Sequence, residues 1–284
     1  MLRIGAGTVL GASGAVAIGT ALSRPSTSTR PVTMTNVGTP LAPPVAPQDT
    51  QGSFTGSFVS AARGGVSTNW GIARPPGHTG PLHPVIALHG KGSNAAEVMS
   101  ADFEQRLAKV VNSGLPPFAV VAVDGGGGYW HKRASGEDWG AMVLDELLPM
   151  LASYNLDTSR VGFLGWSMGG YGALLLGGRL GPARTAAICA VSPALWTSSG
   201  ATAPGAFDGA DDYAANSVWG MPALGSIPIR IDCGDSDPFA SATKQFIAQL
   251  PHGAAGGFSP GGHGPEFWNP QMQDELVWLA PFLG

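Results

Sequence analysis

The chain has 284 residues, 44% hydrophobic and only 12% charged, with a formal net charge of −4. Without a basic cluster, nucleic acid and anionic membrane surfaces are poor partners. Two cysteines without metal-type spacing, and six histidines without an HExxH or comparable pattern, give no reason to expect a metal or another cofactor.

Met1 to Leu22 carries one charge, Arg3, in a Gly/Ala/Val/Leu/Ile run without acids. It reads as an export signal cleaved near Ala21-Leu22, the alternative being a single N-terminal membrane anchor. Leu2-Arg3-Ile4-Gly5-Ala6-Gly7 looks like the middle of a twin-arginine signal whose arginine pair lies upstream of this start. Residues 23–50, rich in Pro, Thr, Ser and Ala, read as a disordered linker. From residue 53 to 284 there is enough chain for one large α/β domain.

Ser53 to Ser60 and Val66 to Ala73 alternate and predict an antiparallel pair. Pro84 to Leu88 is a continuous apolar run, as in a buried parallel strand, and ends in His89-Gly90-Lys91. Asp102 to Val111 predicts an amphipathic helix, Phe118 to Asp124 a strand, and Asp138 to Tyr154 a helix with Trp139, Met142, Val143, Leu147, Leu148 and Leu151 inside. Arg160 to Leu164 predicts the next strand, followed by a helix to about Leu180, and Thr185 to Val191 another strand. Residues 193–226 lose the rhythm, and a loop this long predicts a lid or pocket wall, with Trp196 and Trp219 as lid or core residues. Ile227 to Cys233 resumes as a strand, Phe239 to Leu250 as a helix, 256–258 as a short strand and Gln271 to Phe282 as a closing helix. This alternation predicts parallel βαβ units with helices on both faces, and a site at the carboxyl ends of the strands. Cys189 and Cys233 fall in strands and read as buried thiols, a disulfide being the alternative.

The chemistry centres on Gly165-Trp166-Ser167-Met168-Gly169. A serine at a sharp strand-to-helix turn between glycines is a nucleophile elbow. With 43 glycines the spacing alone is weak, and it recurs at Gly257-Phe258-Ser259-Pro260-Gly261. An oxyanion hole needs the backbone N–H of the residue after the nucleophile, which Met168 has and Pro260 lacks, so Ser167 is the candidate and Ser259 the decoy. The second oxyanion donor is expected from the His89-Gly90-Lys91 turn, at the Lys91 N–H. Downstream, Asp235 and Asp237 both qualify as the acid that orients a histidine, with helix capping competing for Asp237. His263, between glycines and third in the order Ser, Asp, His, is the candidate base, with His252 as the bland alternative. Gly125 to Gly128 followed by Tyr129, Trp130 and His131 lacks the phosphate-loop spacing and reads as a substrate wall or plain loop packing.

Taken together, the chain resembles the esterase D or putative-esterase branch of the α/β-hydrolases, which includes the mycobacterial mycolyltransferase antigens. The matching pieces are Leu88-His89-Gly90, Val123-Asp124-Gly125-Gly126, Glu146-Leu147-Leu148-Pro149, Gly165 through Ala173, Cys233 through Phe239, and Gly262-His263. The resemblance implies an α/β-hydrolase fold and a Ser167–Asp237–His263 triad, choosing Asp237 over Asp235 as the aspartate of a Gly-x-x-Asp turn. It also implies Gly90, Tyr129 and Trp130 beside the substrate. The expected activity is that of a secreted or cell-envelope serine esterase acting on a small-molecule, lipid or sugar ester. Transfer of the acyl chain to a sugar hydroxyl is the alternative, and a non-catalytic secreted binding protein on the same fold is a third reading.

Overall fold

The computed structural model describes residues 53–284, so the readings of segments 1–22 and 23–50 lie outside the described residues. Eight strands form one sheet in the order β1-β2-β4-β3-β5-β6-β7-β8. β1 (Ser53–Ser60) and β2 (Val66–Ala73) pair antiparallel, and β2 runs antiparallel to β4 (Ala119–Val123). β3 (Pro84–Leu88), β4, β5 (Val161–Trp166), β6 (Thr185–Val191), β7 (Ile229–Gly234) and β8 (Ala255–Ser259) are parallel neighbours.

The continuous apolar runs reflect burial on both faces, because successive side chains point to opposite sides of a strand. Ile86, Val121, Phe163 and Ile188 face one core layer with Met142, Leu147, Leu174 and Phe246. Their neighbours Val85, Val120, Leu164 and Cys189 face the other, with Phe103, Leu107, Leu276 and Leu279. The second layer is covered by α1 (Ala95–Met99), α2 (Phe103–Asn112) and α8 (Pro265–Leu279). The first is covered by α5 (Met168–Leu180), α7 (Ala240–Gln249) and the helical run after Asp138. No helix among the described residues is long and apolar enough to cross a membrane.

The run expected as one helix from Asp138 to Tyr154 is composite. α3 (Trp139–Ala141) gives way to a π-helical turn (Met142–Leu147), then α4 (Leu148–Leu151) and a 3-10 turn (Ala152–Tyr154). Pro149 supplies the reason. It has no N–H to give the carbonyl four residues back, and the Leu148 N–H reaches Val143 O instead, one residue further than in an α-helix. Glu146 projects from this widened turn and accepts hydrogen bonds from Ser60 Oγ (2.5 Å) and the Ala62 N–H (2.8 Å), tying the β1–β2 hairpin to the helix layer.

Residues 193–226 contain two 3-10 turns (Ser199–Ala201 and Pro222–Ser226) and α6 (Ala210–Ala215). Cys189 and Cys233 are buried and unbonded, as the thiol reading expected.

Candidate active site

The parallel strands deliver the site from their carboxyl ends. β5 ends at Trp166, α5 begins at Met168, and Ser167 makes the whole turn between them with φ 54° and ψ −115°. Such backbone is costly for a side-chain-bearing residue and needs fixing from outside. The Ser167 N–H donates to Val191 O (2.9 Å), and its carbonyl accepts the N–H groups of Tyr171 (3.0 Å) and Ala194 (2.9 Å). The flanking glycines answer to close approach. A Cβ on Gly165 would overlap the Gly169 carbonyl, and one on Gly169 would overlap the Leu88 carbonyl at the end of β3.

Asp237 follows β7 and His263 follows β8. His263 Nδ1 lies 2.7 Å from Asp237 Oδ2, and its Nε2 lies 2.9 Å from Ser167 Oγ. The Asp237 side chain is fully buried and that of His263 is 24% exposed. Asp237 combines the two roles that competed for it, since its Oδ1 accepts the Phe239 N–H at 2.8 Å while Oδ2 meets the histidine. With the imidazole proton on Nδ1 toward the carboxylate, Nε2 is free to accept the serine proton. The order of groups suits proton removal from the hydroxyl as it attacks a carbonyl carbon. Asp235 is exposed, and it is Asp237 that meets His263. Ser259 ends β8, and the loop that carries His263 follows it.

Met168 and Lys91 are the expected backbone donors. Neither N–H gives a hydrogen bond to another described residue. Met168 opens α5, where helix N–H groups are unpaired and carry partial positive charge. The Gly90 turn abuts the elbow: a Cβ there would stand 3.4 Å from Trp166 O and 3.6 Å from Ser167 Cβ. The Lys91 side chain turns away, its Nζ 3.4 Å from Pro204 O and 5.9 Å from the Tyr129 ring centre.

A cleft of about 620 Å³ opens over Ser167 and His263 and continues between α1, α2 and α8. Val98, Trp166, Trp268 and Met272 form its apolar wall, and Glu97, Asp102, Arg106 and Asn269 its polar rim. Trp268 sets its ring edge-on to His263, with centres 5.2 Å apart. Asp102, expected within α2, instead precedes it in the left-handed conformation (φ 53°) at the cleft rim.

Gly90 lines this cleft, but Tyr129 and Trp130 do not. The expectation of both as substrate wall is corrected here. Trp130 is fully buried with its ring filling the space beside Gly125 and Gly172, and Tyr129 is only 4% exposed among Tyr171, Trp196 and Phe207. Both hold positive φ (55° at Tyr129, 59° at Trp130), and both rings lie in the core. His131 is likewise buried, stacked on Phe207 with Nε2 3.3 Å from Asp212, and burial lowers its pKa. No cleft-lining residue comes from 193–226. That segment packs on the Tyr129 loop, fastened by the Arg133–Asp208 pair, and meets the site from behind, through the Ala194 N–H on the Ser167 carbonyl, Pro204 O near Lys91 Nζ, and Trp196 on Phe239, which touches His263. Trp219 packs on Phe246, as a core residue would.

Trp268, Arg106 and the His89 side chain belong to the site without having been singled out in the sequence. Trp268 lies one helical turn past the His263 loop, a position that could have drawn attention. Arg106 carried no such signal, since it looks like any charged residue on an amphipathic helix.

A "Putative esterase" family model matches residues 67–279. No curated protein sequence matches the chain. Among solved structures, a ferulic acid esterase superposes with a TM-score of 0.70 at 19% identity, covering 81% of this chain and 98% of its own. An S-formylglutathione hydrolase from Agrobacterium tumefaciens gives 0.64 at 20% identity over 82% and 95%. The fluorophosphonate-binding serine hydrolase FphF from Staphylococcus aureus gives 0.62 at 16% identity over 80% and 98%. At these identities the likeness is one of fold, the α/β-hydrolase fold expected from the sequence.

Proposed function

This chain belongs to the Putative esterase family, and from that membership we propose that it is a serine hydrolase cleaving carboxylic esters through Ser167, His263 and Asp237. The observation that carries the reading is the unbroken line from Ser167 Oγ to His263 Nε2 (2.9 Å) and from His263 Nδ1 to Asp237 Oδ2 (2.7 Å).

In this mechanism Ser167 Oγ attacks the ester carbonyl while His263 Nε2 takes its proton, and buried Asp237 stabilises the resulting imidazolium. The Met168 and Lys91 N–H groups receive the oxyanion, each such donor contributing about 3 kcal/mol to the transition state. His263 then protonates the departing alcohol, leaving an acyl-enzyme. Water, deprotonated by the same histidine, attacks the acyl carbon and releases the acid and free Ser167.

The aromatic wall and polar rim of the cleft suit a small-molecule ester with an apolar body and a polar end. Water is the proposed acceptor. An assay with trehalose or another glycan present should yield free acid alone, whereas an acyl-sugar product would make the protein a transferase. Export through residues 1–22, by cleaved signal or anchor, belongs to the same proposal. Recovery of the protein in the medium or envelope checks it, and recovery only in the cytosol contradicts it.

The decisive variant is Ser167→Ala. It should keep the fold and lose activity on a short p-nitrophenyl ester by about 10⁶-fold in kcat. Wild-type turnover by that variant would remove the assignment.

A further inference from the structure

The proton relay leaves one buried polar group beside Ser167 without a role. His89, at the end of β3, is 1% exposed, and its ring is held from three sides. The Gly125 N–H donates to Nε2 at 2.8 Å, so that nitrogen is an acceptor and the proton sits on Nδ1. Nδ1–H then donates to the Gly90 carbonyl at 2.7 Å. Trp130 closes the third side, its ring tilted against the imidazole with centres 5.1 Å apart.

We propose that His89 is a positioning residue for the oxyanion hole, fixing the Gly90–Lys91 peptide so that the Lys91 N–H faces the reacting carbonyl oxygen. The Gly90 carbonyl and the Lys91 N–H belong to one planar trans peptide and point in opposite directions. Anchoring the oxygen on the His89 side therefore aims the N–H away from it. The Ser93 N–H also reaches the Gly90 carbonyl, at 3.2 Å, and closes the turn, but it lies at the longer distance. Without the imidazole the peptide would be held by that bond alone and could rotate, withdrawing the donor or presenting a carbonyl to a developing negative charge. Burial lowers the His89 pKa and keeps the ring in the neutral form this arrangement needs. The Gly125–Trp130 loop, expected beside the substrate, thereby acts on the reaction through His89: Gly125 sets the tautomer and Trp130 the ring plane.

This inference rests on Ser167 as nucleophile and Lys91 as donor, and the test separates the two levels. Steady-state constants and the affinity of an alkyl boronate, which forms a tetrahedral adduct with a nucleophilic serine, are measured for wild type, Ser167→Ala, His89→Leu and His89→Asn. The asparagine amide nitrogen lies where Nδ1 was and can donate to the Gly90 carbonyl. His89→Leu should lose about 10- to 100-fold in kcat, below the 10²–10³-fold cost of deleting a donor outright. Its KM should stay near the wild-type value, and its boronate affinity should fall by a similar factor to kcat. His89→Asn should recover most of both. A folded His89→Leu enzyme with wild-type kcat and boronate affinity overturns the proposal, as does a loss confined to KM or an asparagine variant no better than leucine. If His89→Leu does not fold, His89→Asn is compared with His89→Gln, whose amide reaches the Nε2 position instead: higher kcat for asparagine supports the proposal and equal values overturn it. Full activity in Ser167→Ala removes the underlying reading of the site. An inactive Ser167→Ala beside a wild-type-like His89→Leu removes the role of His89 alone.

Discussion

The open side of Ser167, walled by α1, α2 and α8, and the filled side, built from the Tyr129 loop and residues 193–226, use the same kinds of residue in opposite ways. Each combines tryptophans, a histidine, an arginine and acidic residues. On the open side Trp268 is half-buried against His263, and Arg106, Glu97 and Asp102 edge a cleft. On the filled side Trp130, Tyr129 and His131 are buried, and Arg133 is paired with Asp208 by two hydrogen bonds, at 3.0 and 2.6 Å. Composition does not separate a wall that meets substrate from packing that supports a wall. Placement in the fold does: the loop after β4 carries Tyr129 and Trp130 into the core, while Trp268 rides the first turn of α8 beside the His263 loop.

After Ser167→Ala itself, the largest effect expected is at the same line between the two sides. Asp237→Asn should keep the fold and the Phe239 cap but lower kcat by about 10⁴, because the amide no longer enforces the Nδ1–H tautomer of His263. Activity within a few-fold of wild type would show that the Asp237–His263 contact is not used in turnover.

The tryptophans test the contrast itself. Trp130→Ala removes a fully buried ring and should cost about 3–5 kcal/mol of stability, read from denaturant unfolding. Trp268→Ala should leave unfolding close to wild type and shift KM or acyl preference across a panel of esters. If Trp130→Ala altered preference without loss of stability, and Trp268→Ala the reverse, the two sides would exchange roles.

A smaller effect concerns α8, which bears the open wall. Glu275 is fully buried, and neither carboxylate oxygen has a hydrogen-bond partner among the described residues. Burial, and then the charge of Asp232, raise its pKa well above 4.5. Above pH 4.5 the unfolded chain releases this proton while the folded chain keeps it, so the group costs stability increasingly as pH rises toward its folded-state pKa. Glu275→Gln should therefore raise Tm relative to wild type by more at pH 8 than at pH 5. An equal change at both pH values would contradict a neutral Glu275.

Much of this was readable in the sequence, for identifiable reasons. Strands buried on both faces leave unbroken apolar runs, so β3 to β7 were located to within a residue or two. The strand-end residues Ser167, Asp237 and His263 could be put in order because each follows a strand-like run, and the family resemblance chose Asp237 over Asp235; close backbone approach explains the flanking glycines only at Ser167. The π turn was not foreseen, although Pro149 marks it, since a proline about three turns into a helical pattern signals a break without saying how the ladder repairs it. The substrate wall was misread because an aromatic, glycine-rich loop has the same letters whether its rings face a ligand or the core. His89 was noticed only for the turn it begins, and its side-chain role depends on the Gly125 N–H, 36 residues away.

The central claim is that Ser167, and not the serine in the second Gly-x-Ser-x-Gly match, is the nucleophile. Labelling the intact protein with a fluorophosphonate and mapping the adduct by peptide mass spectrometry tests it directly. The account predicts one phosphonylated residue, Ser167, with labelling abolished in His263→Ala. An adduct on Ser259, or no adduct on active protein, would contradict it.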